Sequence, residues 1–231
     1  MIAIIDYGMG NIHSVNKALQ AYGAETIITN KPTDIQLCDK LILPGVGAFG
    51  DAMLELKKQK LITALLAHIK SKKPFLGICL GMQLLFEKSQ EVDQTSGKAT
   101  LAGLGVLKGM VKKFQDQKNL KVPHIGWNQI KAVNRLASEP VSRLNRQTGK
   151  PANRQTQECP LLKDVPDNSY VYFCHSYYPD PKDKSIIAAT TDYGTDFTSC
   201  VWKDNVYGAQ FHPEKSQSIG LKILKNFIEL C

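Results

Sequence analysis

Through residues 1–88, short, wholly apolar runs alternate with stretches that are apolar every third or fourth position, and this alternation constrains the fold more than any other feature. Residues 1–6, 24–29, 41–43 and 74–78 read as strands, the third stopped by Pro44-Gly45. Residues 12–21, 52–58, 61–70 and 80–88 read as helices. A strand with no polar face cannot lie on a surface, so these strands belong to a parallel sheet covered on both sides. The second half reads differently. Residues 104–108, 170–173, 185–190, 197–202 and 206–210 are short strands separated by turn residues, and Asp204-Asn205 sits where a hairpin should turn. A helix over 216–229 closes the chain. The expected fold is α/β: an open, mostly parallel central sheet flanked by helices, with additional antiparallel strands. It is expected as one domain over 1–231, with a basic surface insertion at about 134–160.

With 43% hydrophobic residues the chain can bury a core, and no run approaches the ~18–20 apolar residues that span a bilayer. The start MIAIIDYG has neither a basic n-region nor a small-residue cleavage site, so no secretory signal is expected. Six cysteines are scattered without a CxxC pair, which argues against a zinc ribbon and fits a reducing, cytoplasmic setting. The net charge is +8, but residues 131–160 hold six basic residues against two acidic ones. Half of the excess is therefore local, and nucleic-acid binding is not favoured.

Gly77-Ile78-Cys79-Leu80-Gly81 lies at a strand-to-helix junction. A nucleophile at such an elbow is forced into a strained backbone that needs small residues two positions either side, and Gly77 and Gly81 supply them. The helix beyond the elbow would aim its first amides and its positive end at the sulfur, favouring thiolate over thiol. A packed core thiol is the competing reading. The other five cysteines lack this setting and read as structural.

A cysteine nucleophile needs a base, and the base an orienting group. Of five histidines, His68 sits in an amphipathic helix and reads as structural. His212-Pro213-Glu214 comes after a buried run; in extended geometry its two ionisable side chains would share a face, so that the carboxylate could fix the ring tautomer. H-x-E is common by chance and gains force only beside the cysteine elbow. Pro44-Gly45-Val46-Gly47 ends another central strand, where ligands of open parallel sheets bind; it could offer amides to an oxyanion together with Leu80, or be only a tight turn. Residues 7–11 lack the third glycine of a dinucleotide loop, and no HExxH or Walker loop is present, so neither metal nor cofactor is expected. Acyl transfer to water is the chemistry these residues suggest.

GICLG with a distant HPE resembles the class I glutamine amidotransferases, which hydrolyse the glutamine side-chain amide to glutamate and ammonia. More narrowly, IAIIDYGMGNIHSV near the start, LPGVGAF at 43–49, PHIGWN at 123–128, YFCHSYY at 172–178 and GAQFHPEKSQ at 208–217 resemble the glutaminase subunits of imidazole glycerol phosphate synthases of histidine biosynthesis. This resemblance implies that Cys79 attacks the carboxamide, that His212 moves the proton and that Glu214 orients His212. It implies an oxyanion hole from Gly45, Val46, Gly47 and Leu80, and a grip on L-glutamine by Gln83, Ser176 and Tyr177, with His175 beside them either structural or supporting those residues from behind.

It also implies a partner, a (β/α)8-barrel cyclase docked over the site as a heterodimer, which uses the ammonia before water can protonate it. Asn11, Trp127, Tyr172 and Lys215 resemble the interface positions; the two aromatics could equally be core residues. Residues 134–160 look longer and more basic than the usual connection, and could be a disordered loop, an extension of the partner contact or an anionic-ligand patch. A glutaminase subunit of another amidotransferase, a stand-alone γ-glutamyl cysteine hydrolase and a non-catalytic binding module remain as alternatives.

Overall fold

The structure, a computed structural model, describes residues 1–91, 100–115, 120–133, 135–136 and 156–231. Its strands are β1 (Ile2–Ile5), β2 (Thr26–Thr29), β3 (Lys40–Gly45), β4 (Phe75–Cys79), β5 (Phe86–Ser89), β6 (Leu101–Ala102), β7 (Leu107–Lys113), β8 (His124–Ala132), β9 (Arg135–Leu136), β10 (Thr156–Gln157), β11 (Ser169–His175), β12 (Tyr177–Pro181), β13 (Ile187–Asp192), β14 (Asp196–Lys203) and β15 (Val206–Ala209). Its helices are α1 (Ile12–Gln20), α2 (Pro32–Leu37), α3 (Phe49–Lys58), α4 (Ile62–Lys70), α5 (Leu80–Gln83) and α6 (Gln217–Leu230).

A nine-stranded sheet runs β11-β8-β13-β14-β15-β4-β3-β1-β2. From β15 to β2 every neighbouring pair is parallel; from β11 to β15 every pair is antiparallel. The wholly apolar strands are the parallel ones because both their faces are covered. Ile2 and Ile4 of β1 enter one core with Val15, Leu19, Leu224 and Phe227 of α1 and α6. Ala3 and Ile5 enter the other core with Ile35, Leu56 and Leu65 of α2, α3 and α4. A four-stranded sheet, β12-β7-β5-β6, lies beyond, with β12 packed on β14.

The α/β architecture expected from the alternation is therefore present, with corrections at particular elements. The helix expected over 80–88 ends after one turn, and residues 86–89 form β5. Leu84, Leu85 and Phe86 are fully buried, and their carbonyls accept from Leu104 (2.8 Å), Leu107 (2.9 Å) and Gly105 (3.2 Å). The second sheet thus claims the backbone that a longer helix would have used. Strand β3 runs through Pro44-Gly45 instead of stopping before it. Of the strand expected at 185–190, residues 185 and 186 belong instead to a 3-10 turn over Lys184–Ile186, and the strand expected at 104–108 is shifted to Leu107–Lys113. Strands β8 and β12 and helix α2 carry no clear period and were not expected. Strands β9 and β10 pair antiparallel across the basic segment; otherwise the insertion expected at 134–160 lies almost wholly outside the described residues. Among the described residues no helix is long and apolar enough to cross a membrane.

Candidate active site

Strand β4 lies between β15 and β3 in the parallel block and ends at Cys79, whose backbone sits at φ 54°, ψ −111°. A non-glycine residue rarely adopts such a conformation, and it persists only where the surroundings impose it. The surroundings here are two glycines. A Cβ on Gly77 would lie 2.6 Å from the Gly81 carbonyl oxygen, and one on Gly81 would lie 1.8 Å from that of Leu43. The turn closes tightly enough to project Cys79 beyond the carboxyl end of the sheet, where open parallel sheets bind ligands.

There Cys79 lines a cleft of about 950 Å³ with Val46, Gln83, Glu91, Tyr177 and His212. The floor is set by strand register. Gly45 pairs with Cys79 across β3 and β4, so the Gly45–Gly47 loop leaves the sheet directly beside the sulfur. Val46 is exposed and Gly47 has φ +95°. A Cβ on Gly45 would meet the Tyr7 hydroxyl at 2.7 Å. That buried phenol has no hydrogen-bond partner among the described residues, and burial, then the charge on Cys79, push its pKa up.

His212 comes from more than 130 residues along the chain to line the same cleft as Cys79, close enough for the sulfur to act on its ring. Its Nδ1 lies 2.9 Å from Glu214 Oε1, with both side chains almost fully buried. Burial alone would push the ring's pKa down. The charge on Cys79, the hydrogen bond to it and the Glu214 carboxylate outweigh burial and hold the ring up at about 10. The two residues do not meet along an extended strand as expected: Pro213–Lys215 is a 3-10 turn that folds the carboxylate back onto the ring. Ser216 fixes this turn, its hydroxyl donating to the His212 carbonyl (2.7 Å) and accepting from the Tyr172 amide (2.9 Å), while the His212 amide donates to the Tyr172 carbonyl (2.9 Å).

Gln83 Nε2 donates to the Tyr177 carbonyl (2.8 Å) and to Gln210 Oε1 (3.0 Å), and Gln210 Nε2 donates to Cys79 Sγ (3.6 Å). The Tyr177 carbonyl also lies 2.9 Å from His175 Nδ1. A carbonyl can only accept, so His175 carries its proton on Nδ1 and its bare Nε2 must accept from His124 Nδ1, 3.2 Å away. Burial drives both rings neutral, His124 down to about 4 and His175 down to about 3, the latter lowered further by its two histidine neighbours against the hydrogen bond to Tyr177. His175 lines the cleft with both ring nitrogens engaged, by the Tyr177 carbonyl and His124. Ser176 and the Tyr177 side chain also line the cleft.

Three side chains were missed from the sequence: Gln210, Glu91 and Tyr7. Glu91 accepts from the Phe49 amide with both oxygens (3.1 and 3.0 Å), and burial raises its pKa. Only the phenol of Tyr7, in an apolar run, could have been noticed. Outside the cleft, Trp127 is 46% exposed with its ring 6.1 Å from that of Tyr172, over which Lys215 Nζ sits at 5.8 Å. Asn11 is half-buried at the start of α1, which packs on the Pro213–Lys215 turn. Among the described residues no group of three or more His, Cys, Asp or Glu is placed to hold a metal.

A model of the glutamine amidotransferase class-I family matches residues 3–230. The chain is 45% identical to "Imidazole glycerol phosphate synthase subunit HisH" of Methanocaldococcus jannaschii over 100% of both chains. It is 43% identical to the protein of the same name from Acaryochloris marina, over 99% of this chain and 94% of that one. Among solved structures, a crystal structure titled glutamine amidotransferase superposes with a TM-score of 0.67 at 14% identity, covering 100% of this chain and 98% of that one. A chain of PurLQS from Thermotoga maritima superposes at 0.65 with 16% identity, covering 98% and 96%. These two likenesses concern the fold alone.

Proposed function

On the footing that the chain belongs to the class I glutamine amidotransferase family, we propose that it is the glutaminase subunit of an imidazole glycerol phosphate synthase and that Cys79, His212 and Glu214 carry the hydrolysis. The observation that supports this most directly is the meeting of sulfur, imidazole and carboxylate at the floor of one cleft, in relatives' company that extends over the full chain.

The reaction is dictated by the charges. Imidazole with a pKa held at about 10 stands as imidazolium beside the sulfur at neutral pH. Cys79 thiolate attacks the carboxamide carbon of L-glutamine; the carbonyl oxygen takes the negative charge and is met by amides of the Gly45–Gly47 loop and of Leu80. Imidazolium gives its proton to the amide nitrogen, ammonia departs, and a glutamyl thioester remains. Neutral His212 then takes a proton from water as the hydroxide oxygen bonds to the acyl carbon. Thiolate leaves, imidazolium is restored and the product acid ionises to glutamate. Glu214 keeps the His212 tautomer through both halves. Gln83, Ser176 and Tyr177 hold the amino-acid end. The carboxylate of Glu91 on the same wall suits the substrate's ammonium.

The partner is a (β/α)8-barrel cyclase, consistent with the subunit names of the relatives. The surface for it is the outward face of β8 and β11 with Asn11 and Lys215: Ile125 and Tyr170 are 58% and 57% exposed, Ile125 continuing the Trp127–Tyr172 pair toward cleft-lining Cys174 and Tyr170 extending it the other way. Large exposed aromatics of this kind anchor interfaces. The glycine-flanked Val46 peptide can reorient with little strain, so docking would complete the oxyanion hole. The test is glutamate release with and without the cyclase and its ribonucleotide ligand. Feeble turnover of the free chain, strong turnover of the complex and none for Cys79→Ala in an intact complex are expected. Equal turnover of free and complexed chain would point instead to a stand-alone γ-glutamyl hydrolase.

A further inference from the structure

Gln210 is fully buried and does not itself line the cleft, yet its amide nitrogen lies 3.6 Å from the nucleophilic sulfur. Its place is set by sheet register. Strands β15 and β4 run parallel, with Ala209 opposite Ile78, so the next residues along, Gln210 and Cys79, emerge side by side. The Gln210 backbone amide is tied to the Ser199 carbonyl at 2.9 Å, which leaves the side chain little freedom.

The orientation of its amide is also determined. Gln83 Nε2 has two hydrogens, and both are committed, one to the Tyr177 carbonyl and one to Gln210 Oε1. Gln210 must therefore present oxygen to Gln83 and N–H to the sulfur. Turned the other way, it would set two donors against each other and an oxygen against the electron-rich sulfur. Gln83 in turn keeps only its amide oxygen uncommitted among the described residues, and Gln83 lines the cleft.

We infer that Gln210 is a positioning residue for Cys79: a buried N–H donor that holds the sulfur for attack, its polarity fixed by Gln83, so that two amides in series link the substrate-lining wall to the nucleophile. The inference rests on the reading of Cys79 as nucleophile and Gln83 as a cleft residue. Its first measurement does not depend on glutamine.

The experiment is alkylation of Cys79 by iodoacetamide in the full chain, tracked peptide by peptide by mass spectrometry so that exposed Cys174 is counted separately. Gln210→Glu retains the acceptor for Gln83 but removes the donor to sulfur; Cys79 alkylation is expected to slow about tenfold, the effect of losing one hydrogen bond to a charged group. In the complex, kcat for glutamine should fall about as far while KM stays within about twofold. Gln210→Met, near-isosteric and uncharged, should slow alkylation too, and serves if the buried glutamate prevents folding. Gln83→Met should also slow it, although Gln83 does not touch the sulfur. A purely packing role predicts no such effect. Wild-type alkylation rates in the folded Gln210 variants overturn the inference, as does an unchanged rate in Gln83→Met. Loss of glutamate release by the wild-type complex would instead remove the substrate assignment, with the alkylation rates still deciding the relay.

Discussion

At the scale of single residues, the site depends on atoms that are missing. Cys79 holds its positive φ because Gly77 and Gly81 let the elbow close, and Gly81 has a carbonyl where its Cβ would be. Gly81→Ala is expected to cost at least ~3 kcal/mol of stability, since backbone on both sides must move; urea unfolding measures it, and a loss below ~1 kcal/mol would mean that the elbow yields. The GxCxG spacing made this much legible in the sequence. The buried pair His124 and His175 was not legible, because nothing local marks two histidines 51 positions apart as partners. Their folded pKa values lie near 4 and 3, below the ordinary 6.5, so the unfolded chain binds protons first as pH falls. Their contribution is intact above pH 6.5 and is lost progressively as pH drops toward 4. His124→Gln should flatten the dependence of the urea midpoint on pH in that window. A slope equal to the wild type's would remove this assignment.

At the scale of elements, the His212–Lys215 turn is positioned by Ser216 and α6 on its carboxyl side. The Ser216 hydroxyl bridges the His212 carbonyl and the Tyr172 amide, and a Cβ on Gly220 would lie 1.9 Å from the Pro213 carbonyl, so α6 packs flush beneath the turn. Ser216→Ala is expected to cost ~1–2 kcal/mol of stability. Under the proposed function it should also lower kcat several-fold with little change in KM, because it would loosen the proposed base and not the substrate grip; a KM effect larger than the kcat effect would argue against this. HPE was readable as a pair, but not as the start of a 3-10 turn, because three residues are too few to display either period. Helix α5 shows the opposite failure. Leu80-Gly81-Met82-Gln83-Leu84-Leu85-Phe86 has a helical pattern, but residues that are buried on every side satisfy either period.

At the scale of the molecule, the antiparallel half of the large sheet extends an apolar outer face, Ile125, Trp127 and Tyr170, up to the mouth of the cleft. Under the proposed function, Trp127→Ala should weaken the complex at least tenfold, by calorimetric titration, while leaving the melting temperature of the free chain within ~2 °C. Unchanged affinity would move the interface elsewhere. Patterns legible within a dozen residues determined, from the sequence alone, the apolar strands, the covering helices, the glycine elbow and the closeness of His212 to Glu214. Only the tertiary structure decided which separate segments share a neighbourhood: the β15–β4 register that sets Gln210 beside Cys79, the second sheet that cuts α5 short, and the pairing of β8 with β11 that turns Trp127 outward. The reason is physical. Local periodicity states which side of an element is buried, whereas the order of strands in a sheet depends on the fit of whole faces between residues far apart in the chain, and no short window contains both sides of such a contact.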